Sequence, residues 1–239
     1  SSLIKAIVEN KDNNDLNENA LNHYSNFWHN DLSETFFKDI HKVQPGELIT
    51  FQKNKVDKKK ILNFEFSSEI TNPKNEIERI FNKQFISDVP VSLSLSGGVD
   101  SNLIFYFMNK NLNKKFKTYS VSFEGGSNFD ADMAEKNSKL LNFDNERVNI
   151  SSVDFIENIE KVIEIMEEPV GNQNSIANYI LSKKISEKVL FTGDGGDEIF
   201  TGYDKYKSIY FLSNLKKLGF IKNFNFFSKK NSERLKFNK

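Results

Sequence analysis

The stretch VSLSLSGGVDS occupies residues 91–101 and contains the strongest structural signal in the chain. Its first five residues are either apolar or serine, and this short uncharged run predicts a buried strand over 91–95. The pair Gly97 and Gly98 predicts a tight turn, and the residues from Ser101 to about Lys110 predict a helix. A strand that passes through a glycine turn into a helix is typical of an α/β sheet domain.

Similar elements alternate on both sides of this stretch. The apolar spacing predicts further strands over 118–123, 147–150 and 189–192, and helices over 75–85, 133–141, 155–166 and 175–186. Strands that alternate with helices favour a parallel sheet with helices on both faces. The predicted fold class is therefore α/β.

The first part of the chain has a different pattern. We expect one helix after a cap at Asp15, a second helix over 33–40, and a turn at Pro45 and Gly46. A strand over 47–51, a lysine-rich turn over 53–60 and a strand over 61–66 should follow. The change of pattern predicts a domain boundary near 65–73.

Composition limits the classes of function. The chain of 239 residues has no cysteine, which excludes disulfides, thiolate metal sites and a cysteine nucleophile within it. Its 33 basic and 33 acidic residues give no reason to expect nucleic acid as the main partner. We interpret the basic, phenylalanine-containing tail over 213–239 as a solvated helical face, with nucleic-acid binding as the alternative. No membrane segment or signal peptide is expected, and a cytoplasmic location fits.

The first glycine loop has the chemistry of an anion site. Gly97 and Gly98 let successive N–H groups face one anion, and the new helix adds its positive end. Ser96 and Ser101 offer hydroxyl groups to phosphate oxygens. Asp100 would repel phosphate unless a cation lay between them, which implies Mg²⁺. The alternative is an ordinary strand-to-helix turn with a serine cap.

A second glycine cluster, VLFTGDGGDE over 189–198, also follows a predicted strand. Because both loops should lie at the same sheet edge, Asp197 can supply a second carboxylate for Mg²⁺ opposite Asp100. The alternative is a glycine-rich surface turn with solvated acidic residues.

These motifs carry a family resemblance. SGGVDS resembles the SGG[LV]DS signature of the pyrophosphate-loop ATP pyrophosphatases, and SDVPV over 87–91 resembles the run that precedes it in asparagine synthetases. The second cluster, with the continuation IFTGY over 199–203, resembles the LSG[DE]G[GS]DE.FGGY motif of the same family. Thr192 stands where that motif has serine, and Thr201 where it has glycine.

The resemblance implies a fold and an organisation. Residues 67–239 would be an adenine nucleotide alpha hydrolase-like sheet domain, incomplete at its end. Residues 1–66 would be the end of an α+β N-terminal-nucleophile glutaminase domain, because KVQPGELITF over 42–51 resembles the run that ends it. The glutaminase cysteine, a downstream catalytic lysine and an R.PFLD-like segment are missing. We therefore expect the middle of a longer protein, which by itself neither hydrolyses glutamine nor completes amide synthesis.

The resemblance also assigns site residues. It implies contacts of the Leu95 and Val121 backbone with the adenine of ATP. It implies further ATP contacts from Ser96, Gly97, Gly98, Asp100, Ser101, Thr192 and Gly193. Asp194 matches the catalytic acid that supports formation of an acyl-adenylate, and Asp100 and Asp197 match the metal-binding acids. Phe129-Asp130 resembles a short acidic motif of the family, and an ordinary helix cap is the alternative. Glu167-Glu168-Pro169 resembles its Asp-Glu-Pro, so these acids either shape the substrate pocket or end a solvated helix.

The implied reaction is ATP-dependent amide formation. Aspartate would be converted through β-aspartyl-AMP to asparagine, with release of pyrophosphate and AMP, using ammonia that is free or derived from glutamine. A homodimer of the full-length protein stays open. The alternatives are a related sugar amidotransferase, a β-lactam-synthetase-like cyclase, or an inactive nucleotide-binding fragment.

Overall fold

A computed structural model of the chain describes residues 3–11, 15–30, 33–53, 55–62, 72–112 and 115–217, and the side chains of these up to residue 214. The chain divides into two compact units, Ser1–Thr192 and Gly193–Lys239. Among the helices that the structure describes, none is both long and apolar enough to cross a membrane.

The elements of the first unit follow one another in chain order. They are α1 (Ile4–Val8), α2 (Glu18–Phe27), β1 (Glu47–Gln52), β2 (Lys55–Lys60), α3 (Pro73–Gln84), β3 (Val91–Ser94), α4 (Val99–Asn111), β4 (Lys117–Phe123), α5 (Phe129–Leu140), β5 (Asn145–Ile150), α6 (Ser152–Met166), α7 (Asn174–Lys184) and β6 (Val189–Phe191). The second unit contains α8 (Gly196–Phe200) and α9 (Asp204–Lys217).

The sheet of the first unit confirms the predicted α/β class. Its four strands lie in the order β5-β4-β3-β6, and every pair is parallel. Leu93 of the central strand β3 is level with Thr118 on one side and Phe191 on the other. Each predicted strand and helix from residue 75 to residue 192 is present, with ends that differ by a few residues.

Helices cover the sheet on both faces, and each face has its own apolar core. One core joins β3, α4 and α5 with the end of α3, and includes Leu93, Phe105 and Met108. The other joins β4 and β5 with α6 and α7, and includes Tyr119 and Ile180. Burial on both faces explains why β3 and β4 alternate apolar residues with small hydroxyl-bearing residues, several of them buried, and not with charged residues.

Helix α6 begins where its sequence specifies a cap. The Ser151 hydroxyl oxygen accepts the N–H of Asp154 at 3.1 Å, and the Asp154 carboxylate accepts the N–H of Ser151 at 2.9 Å. This reciprocal pair satisfies two of the N–H groups that a helix start leaves unpaired.

The N-terminal part corrects three predictions. The cap of α2 is Asn17 and not Asp15, because the Asn17 side chain accepts the N–H of Ala20 at 3.3 Å. The helix predicted over 33–40 is wrong. That segment instead pairs through the bridges Leu16↔Phe37 and Glu34↔His41.

The third correction concerns the lysine-rich segment over 53–60. It is not a turn, because residues 55–60 form β2, which pairs antiparallel with β1. Ile61 and Leu62 lie outside the strands, and residues 63–66 of the predicted next strand lie outside the described residues. The turn at Gly46 is confirmed, with a φ of +76°. Because residues 63–71 lie outside the described residues, the domain boundary near 65–73 stays a prediction.

Candidate functional site

The loop after β3 lies at the point of the sheet where the strand order reverses. From β3 the chain moves to β4 and β5 on one side and returns as β6 on the other side. In open α/β sheets, ligands bind at such a reversal point, beyond the carboxyl ends of the strands. Residues 96–98 follow the end of β3, and Thr192 follows the end of β6. These candidate residues therefore lie at the same edge of the sheet, as the sequence predicted.

Two serine side chains hold the loop together from inside. The hydroxyl groups of Ser96 and Ser101 lie 2.9 Å apart, and the Ser101 oxygen also accepts the N–H of Ser96 at 3.1 Å. The Ser96 oxygen accepts the N–H of Gly98 at 3.2 Å. Ser101 is buried. The pair therefore shapes the loop, in addition to the ligand contacts predicted for both hydroxyl groups.

Helix α4 begins without a side-chain cap. Its N-cap residue is Gly98, which has extended backbone angles and no side chain to offer. The first N–H groups of a helix have no partner inside it, so those of Val99 and Asp100 remain available to an anion. The Asp100 carboxylate lies in the same first turn and is half-buried. A cation between this carboxylate and a bound phosphate would satisfy both.

Gly97 is favoured by close packing and not by its backbone angles. A Cβ atom at this position would lie 2.8 Å from the Asp130 carboxylate oxygen and 3.1 Å from the Met133 Cβ, both on α5. The neighbouring Gly98 has more room, since a Cβ there would meet only the Ser96 oxygen at 3.3 Å. The two glycines therefore have different roles: Gly97 lets the loop touch α5, and Gly98 leaves its outer side uncovered.

The residues predicted to contact adenine are positioned by the cores. Leu95 is buried, and its N–H extends the ladder by donating to the Tyr119 carbonyl at 2.7 Å. Val121 is half-buried against the α6–α7 core. Because both side chains pack against the protein interior, a ligand could reach only their backbone groups. The adenine contacts of these two residues stay a prediction.

The second glycine cluster belongs largely to the second unit. Gly195 has a φ of +88° and precedes α8, and Asp197 lies in the first turn of that helix. The Asp197 carboxylate fills the space beside Gly202, where an added Cβ would lie only 2.9 Å from its Cγ. Asp194 is exposed. A glycine at 202 thus leaves room for the carboxylate that was predicted to hold a metal ion.

Tyr203 and Glu198 form a polar pair in the same unit. The Tyr203 hydroxyl donates to the Glu198 carboxylate at 2.8 Å. This hydrogen bond raises the pKa of Tyr203 to about 12 and lowers the pKa of Glu198 below its ordinary value. Lys205 lies over the Tyr203 ring, with its nitrogen 4.5 Å from the centroid.

The available metal ligands are a small set of hard oxygen donors. Within the described ranges, no group of three or more His, Cys, Asp or Glu side chains is arranged to hold a metal ion. A Mg²⁺ ion would accordingly need phosphate and water oxygens besides protein carboxylates, which suits its preference for a few carboxylates and retained water.

Two acids of the Glu167-Glu168-Pro169 run have a role that neither sequence interpretation anticipated. The Glu167 carboxylate accepts the N–H groups of Ile4 and Lys5 at 2.8 and 2.7 Å. Glu168 forms an ion pair with Lys42. These acids therefore attach the N-terminal segment to the C-terminal end of α6. No sequence signal could identify the partners, which lie more than a hundred residues away.

Sequence reasoning also missed two amides next to the loop. Asn102, directly after the motif, donates to the carbonyl groups of Ser96 and Gly98. Asn137 of α5 donates to the Asn102 side chain. The first of them could have been noticed as a polar residue in the opening turn of α4.

Comparison with known proteins gives consistent matches. The family described as asparagine synthase matches residues 74–236. Asparagine synthetase (glutamine-hydrolyzing) 1 of Bacillus subtilis (strain 168) is 26% identical over 213 residues, which cover 85% of this chain and 34% of that protein. Amidase chyE of Penicillium rubens is 25% identical over 205 residues, which cover 74% of this chain and 30% of that protein.

Among solved structures, the NH3-dependent NAD synthetase from Campylobacter jejuni aligns with a TM-score of 0.32 and 17% identity, over 47% of this chain and 47% of that chain. A likeness this weak says nothing about ligands. The chain spans about a third of the length of the curated relatives it matches.

Proposed function

Because the chain belongs to the asparagine synthase family, we propose that residues 96–101 and 193–197 bind ATP for the formation of an amide bond. The chain spans only about a third of the length of these relatives, so both the ATP site and the acceptor are proposals. The proposal concerns the ATP site first and the acceptor second.

The observation that carries the proposal is the form of the loop after β3. A glycine N-cap offers no side chain to the first N–H groups of α4, and Gly97 lets the backbone lie close against α5, where a Cβ would be 3.1 Å from the Met133 Cβ. Unpaired N–H groups at a helix start, beside a strand switch point, suit a pyrophosphate group. The Ser96 and Ser101 hydroxyl groups lie within the same turn.

We assign Asp100 and Asp197 to Mg²⁺. Carboxylate oxygens are ligands that this ion prefers, and the room beside Gly202 accommodates the Asp197 carboxylate. The ion, when bound, would neutralise charge on the pyrophosphate. Asp100 itself would otherwise repel the phosphate oxygens, so the protein's own charge requires a counterion here.

The proposed first step is adenylation of a carboxylate, with aspartate as the substrate. A side-chain carboxylate oxygen attacks the α-phosphorus, the bond between the α-phosphorus and the α,β-bridging oxygen breaks, and pyrophosphate leaves with the electron pair. The products are β-aspartyl-AMP and pyrophosphate. The N–H groups of Val99 and Asp100 would stabilise the negative charge that develops on the leaving group. Asp194 is assigned to support of the acyl-adenylate.

The second step is displacement of AMP by ammonia. The ammonia nitrogen attacks the acyl carbon, the bond to the phosphate oxygen breaks, and the nitrogen loses a proton to give asparagine. Ammonia that is free or derived from glutamine satisfies this chemistry. The chain contains no cysteine, so it has no thiol with which to release ammonia from glutamine by a thioester route.

Calorimetry with adenosine α,β-methylene triphosphate, which cannot be cleaved at the reacting bond, tests the ATP site. We expect binding that depends on Mg²⁺ and is lost in Asp100→Asn and Asp197→Asn. Asp57→Asn, an exposed acid on β2, is the matched control and should bind like the parent chain. If both site variants bound the Mg²⁺ complex as tightly as the parent, the metal assignment would be wrong.

A second candidate keeps the ATP site and changes the acceptor. It is favoured by the similarity to a protein named amidase chyE, at 25% identity. Exchange of labelled pyrophosphate into ATP, measured with aspartate and with other carboxylic acids, separates the two. Stimulation by aspartate alone supports the first candidate. Stimulation by a different acid, with none by aspartate, supports the second candidate.

A further inference from the structure

We propose that Asn102 is a positioning residue that sets the direction of the N–H groups in the loop after β3. The inference rests on the proposed ATP site, and it adds a residue outside the motif that identifies that site. The side chain of Asn102 holds the loop from the protein side, while the ligand would lie on the other side.

The contacts of Asn102 determine how its amide is oriented. Its Nδ2 donates to the Ser96 carbonyl at 3.0 Å and to the Gly98 carbonyl at 2.7 Å. Both partners are carbonyl oxygens, which can only accept, so the NH₂ end of the amide must face the loop. The oxygen end must then point away from it.

Asn137 secures this orientation from α5. Its Nδ2 donates to the Asn102 Oδ1 at 2.8 Å, which an amide turned the other way could not accept. Helix α5 also contributes Asp130 and Met133, which bound the space at Gly97. The same helix therefore restrains the loop twice, by packing at Gly97 and by a chain of two amides.

The consequence follows from peptide geometry. In a trans peptide the N–H group points opposite to the carbonyl group of the same unit. Holding the Ser96 and Gly98 carbonyls toward Asn102 thus turns the N–H groups of Gly97 and Val99 the other way. Those two groups flank Gly98, whose outer side is uncovered. The Ser101 hydroxyl also donates to these two carbonyl groups at 3.3 Å, and the Asn102 backbone N–H donates to the Gly98 carbonyl at 3.3 Å, so both peptides keep longer and weaker restraints when the amide is lost. Without the Asn102 amide, the directions of the two N–H groups would be less firmly fixed.

The experiment compares four variants of the full 239-residue chain. They are Asn102→Ala, Asn102→Asp, Asn137→Ala and the control Asn111→Ala. Asn111 lies on the same helix and donates to the Phe107 carbonyl at 2.9 Å, so it loses a similar bond far from the loop. For each variant we measure the affinity for adenosine α,β-methylene triphosphate and the affinity for inorganic pyrophosphate, both in the presence of Mg²⁺. The unfolding temperature of each variant is measured as well.

We expect Asn102→Ala to weaken the binding of both ligands about tenfold. A loss of this size corresponds to roughly one net hydrogen bond, here one that orients the loop before the ligand binds. Asn102→Asp should weaken them more, because it places acceptors and a negative charge against the carbonyl groups. Asn137→Ala should have a smaller effect, because Asn137 acts on the loop only through the Asn102 amide. Asn111→Ala should leave both affinities unchanged.

The results test the ATP site and the positioning role of Asn102 separately. If the parent chain bound neither ligand, the ATP site itself would be overturned, and this inference with it. If the parent bound and the Asn102 and Asn137 variants bound equally well, only the positioning role would be overturned. Lower unfolding temperatures with unchanged affinities in the folded variants would assign both amides to stability alone. Should Asn102→Ala not fold, the milder Asn137→Ala decides between the same alternatives.

Discussion

The Glu167 carboxylate accepts the backbone N–H of Lys5 at 2.7 Å, across 162 residues of sequence. Its second oxygen accepts the N–H of Ile4, so both oxygens cap α1, whose own N-cap residue Leu3 makes no side-chain cap bond. A helix of 5 residues has little stability of its own, and a carboxylate at its start satisfies two unpaired donors. Glu167 therefore determines where α1 is held.

Glu167→Gln should release α1 while leaving the sheet folded. A glutamine side chain offers one acceptor in place of two, and its NH₂ group would face an N–H group. Loss of a charged cap costs about 1–2 kcal/mol. We expect faster hydrogen exchange confined to Ile4–Val8, measured by mass spectrometry. Glu160→Gln, on the exposed side of α6, is the control. Unchanged exchange in Glu167→Gln would show that packing alone holds α1.

Gly97→Ala should disturb the loop after β3, because its methyl group would meet Asp130 and Met133 at 2.8 and 3.1 Å. Overpacking of this kind costs about 1–3 kcal/mol of unfolding free energy. Urea unfolding measures it. Gly126→Ala is the control, since a Cβ there would meet its nearest neighbour, the Phe123 Cβ, at an ordinary 3.6 Å. Equal stability of the two variants would contradict the tight packing at Gly97.

Gly98→Ala separates folding from ligand binding. The added Cβ would meet only the Ser96 oxygen at 3.3 Å, so the unfolding free energy should change by less than that of Gly97→Ala. A methyl group on the uncovered side of the loop should nevertheless weaken binding of a pyrophosphate group. Pyrophosphate titration by calorimetry checks this. Parent-like affinity in Gly98→Ala would place the ligand elsewhere.

Gly202→Ala should displace the Asp197 carboxylate, since the methyl group would collide with it. If Asp197 holds Mg²⁺, the variant should lose the Mg²⁺ dependence of ATP-analogue binding. Thr201→Gly at the neighbouring position is the control, because it relieves a φ of +57° without adding an atom beside Asp197. Retained Mg²⁺ dependence in Gly202→Ala would argue against Asp197 as a ligand.

The Tyr203–Glu198 hydrogen bond should appear in a titration at high pH. Tyr203 has a pKa of about 12 in the folded chain against an ordinary value of 10.0. Because the folded-state pKa is the higher one, its stabilising contribution is complete below pH 10 and is lost as the pH rises through 12. Glu198→Gln should move the Tyr203 pKa back toward 10, seen as tyrosinate absorbance relative to Tyr203→Phe. An unmoved titration would mean that Glu198 is not the cause.

The local sequence was sufficient to predict an element wherever the residues that stabilise it lie in one short segment. The strand, glycine pair and helix over 91–111 are adjacent in the chain, and burial on both sheet faces leaves a run that can be recognised directly. The elements from residue 75 to residue 192 were predicted for the same reason. The family motifs at 96–101 and 193–203 are likewise contiguous.

The predictions failed where contacts with residues distant in the sequence determine the local structure. Phe36, Phe37 and Ile40 have helical spacing, yet Phe37 pairs with Leu16, and buried Thr35 donates to the Ile40 carbonyl at 2.7 Å. The lysines of β2 resemble a turn because their charged ends face solvent, while the backbone pairs with β1. In both cases tertiary hydrogen bonds outweigh a weak local preference.

The sequence by itself determined the parallel α/β class, the position of the two glycine loops and the family. Only the tertiary structure decided which atoms support the first loop and the N-terminal helix. Asn102 meets Asn137, Gly97 meets Asp130, and Glu167 meets Lys5, although these pairs are separated by between about 30 and 160 residues. Each contact depends on how the helices pack against the open four-stranded sheet. The packing of the whole unit sets this arrangement, because no single segment carries both partners.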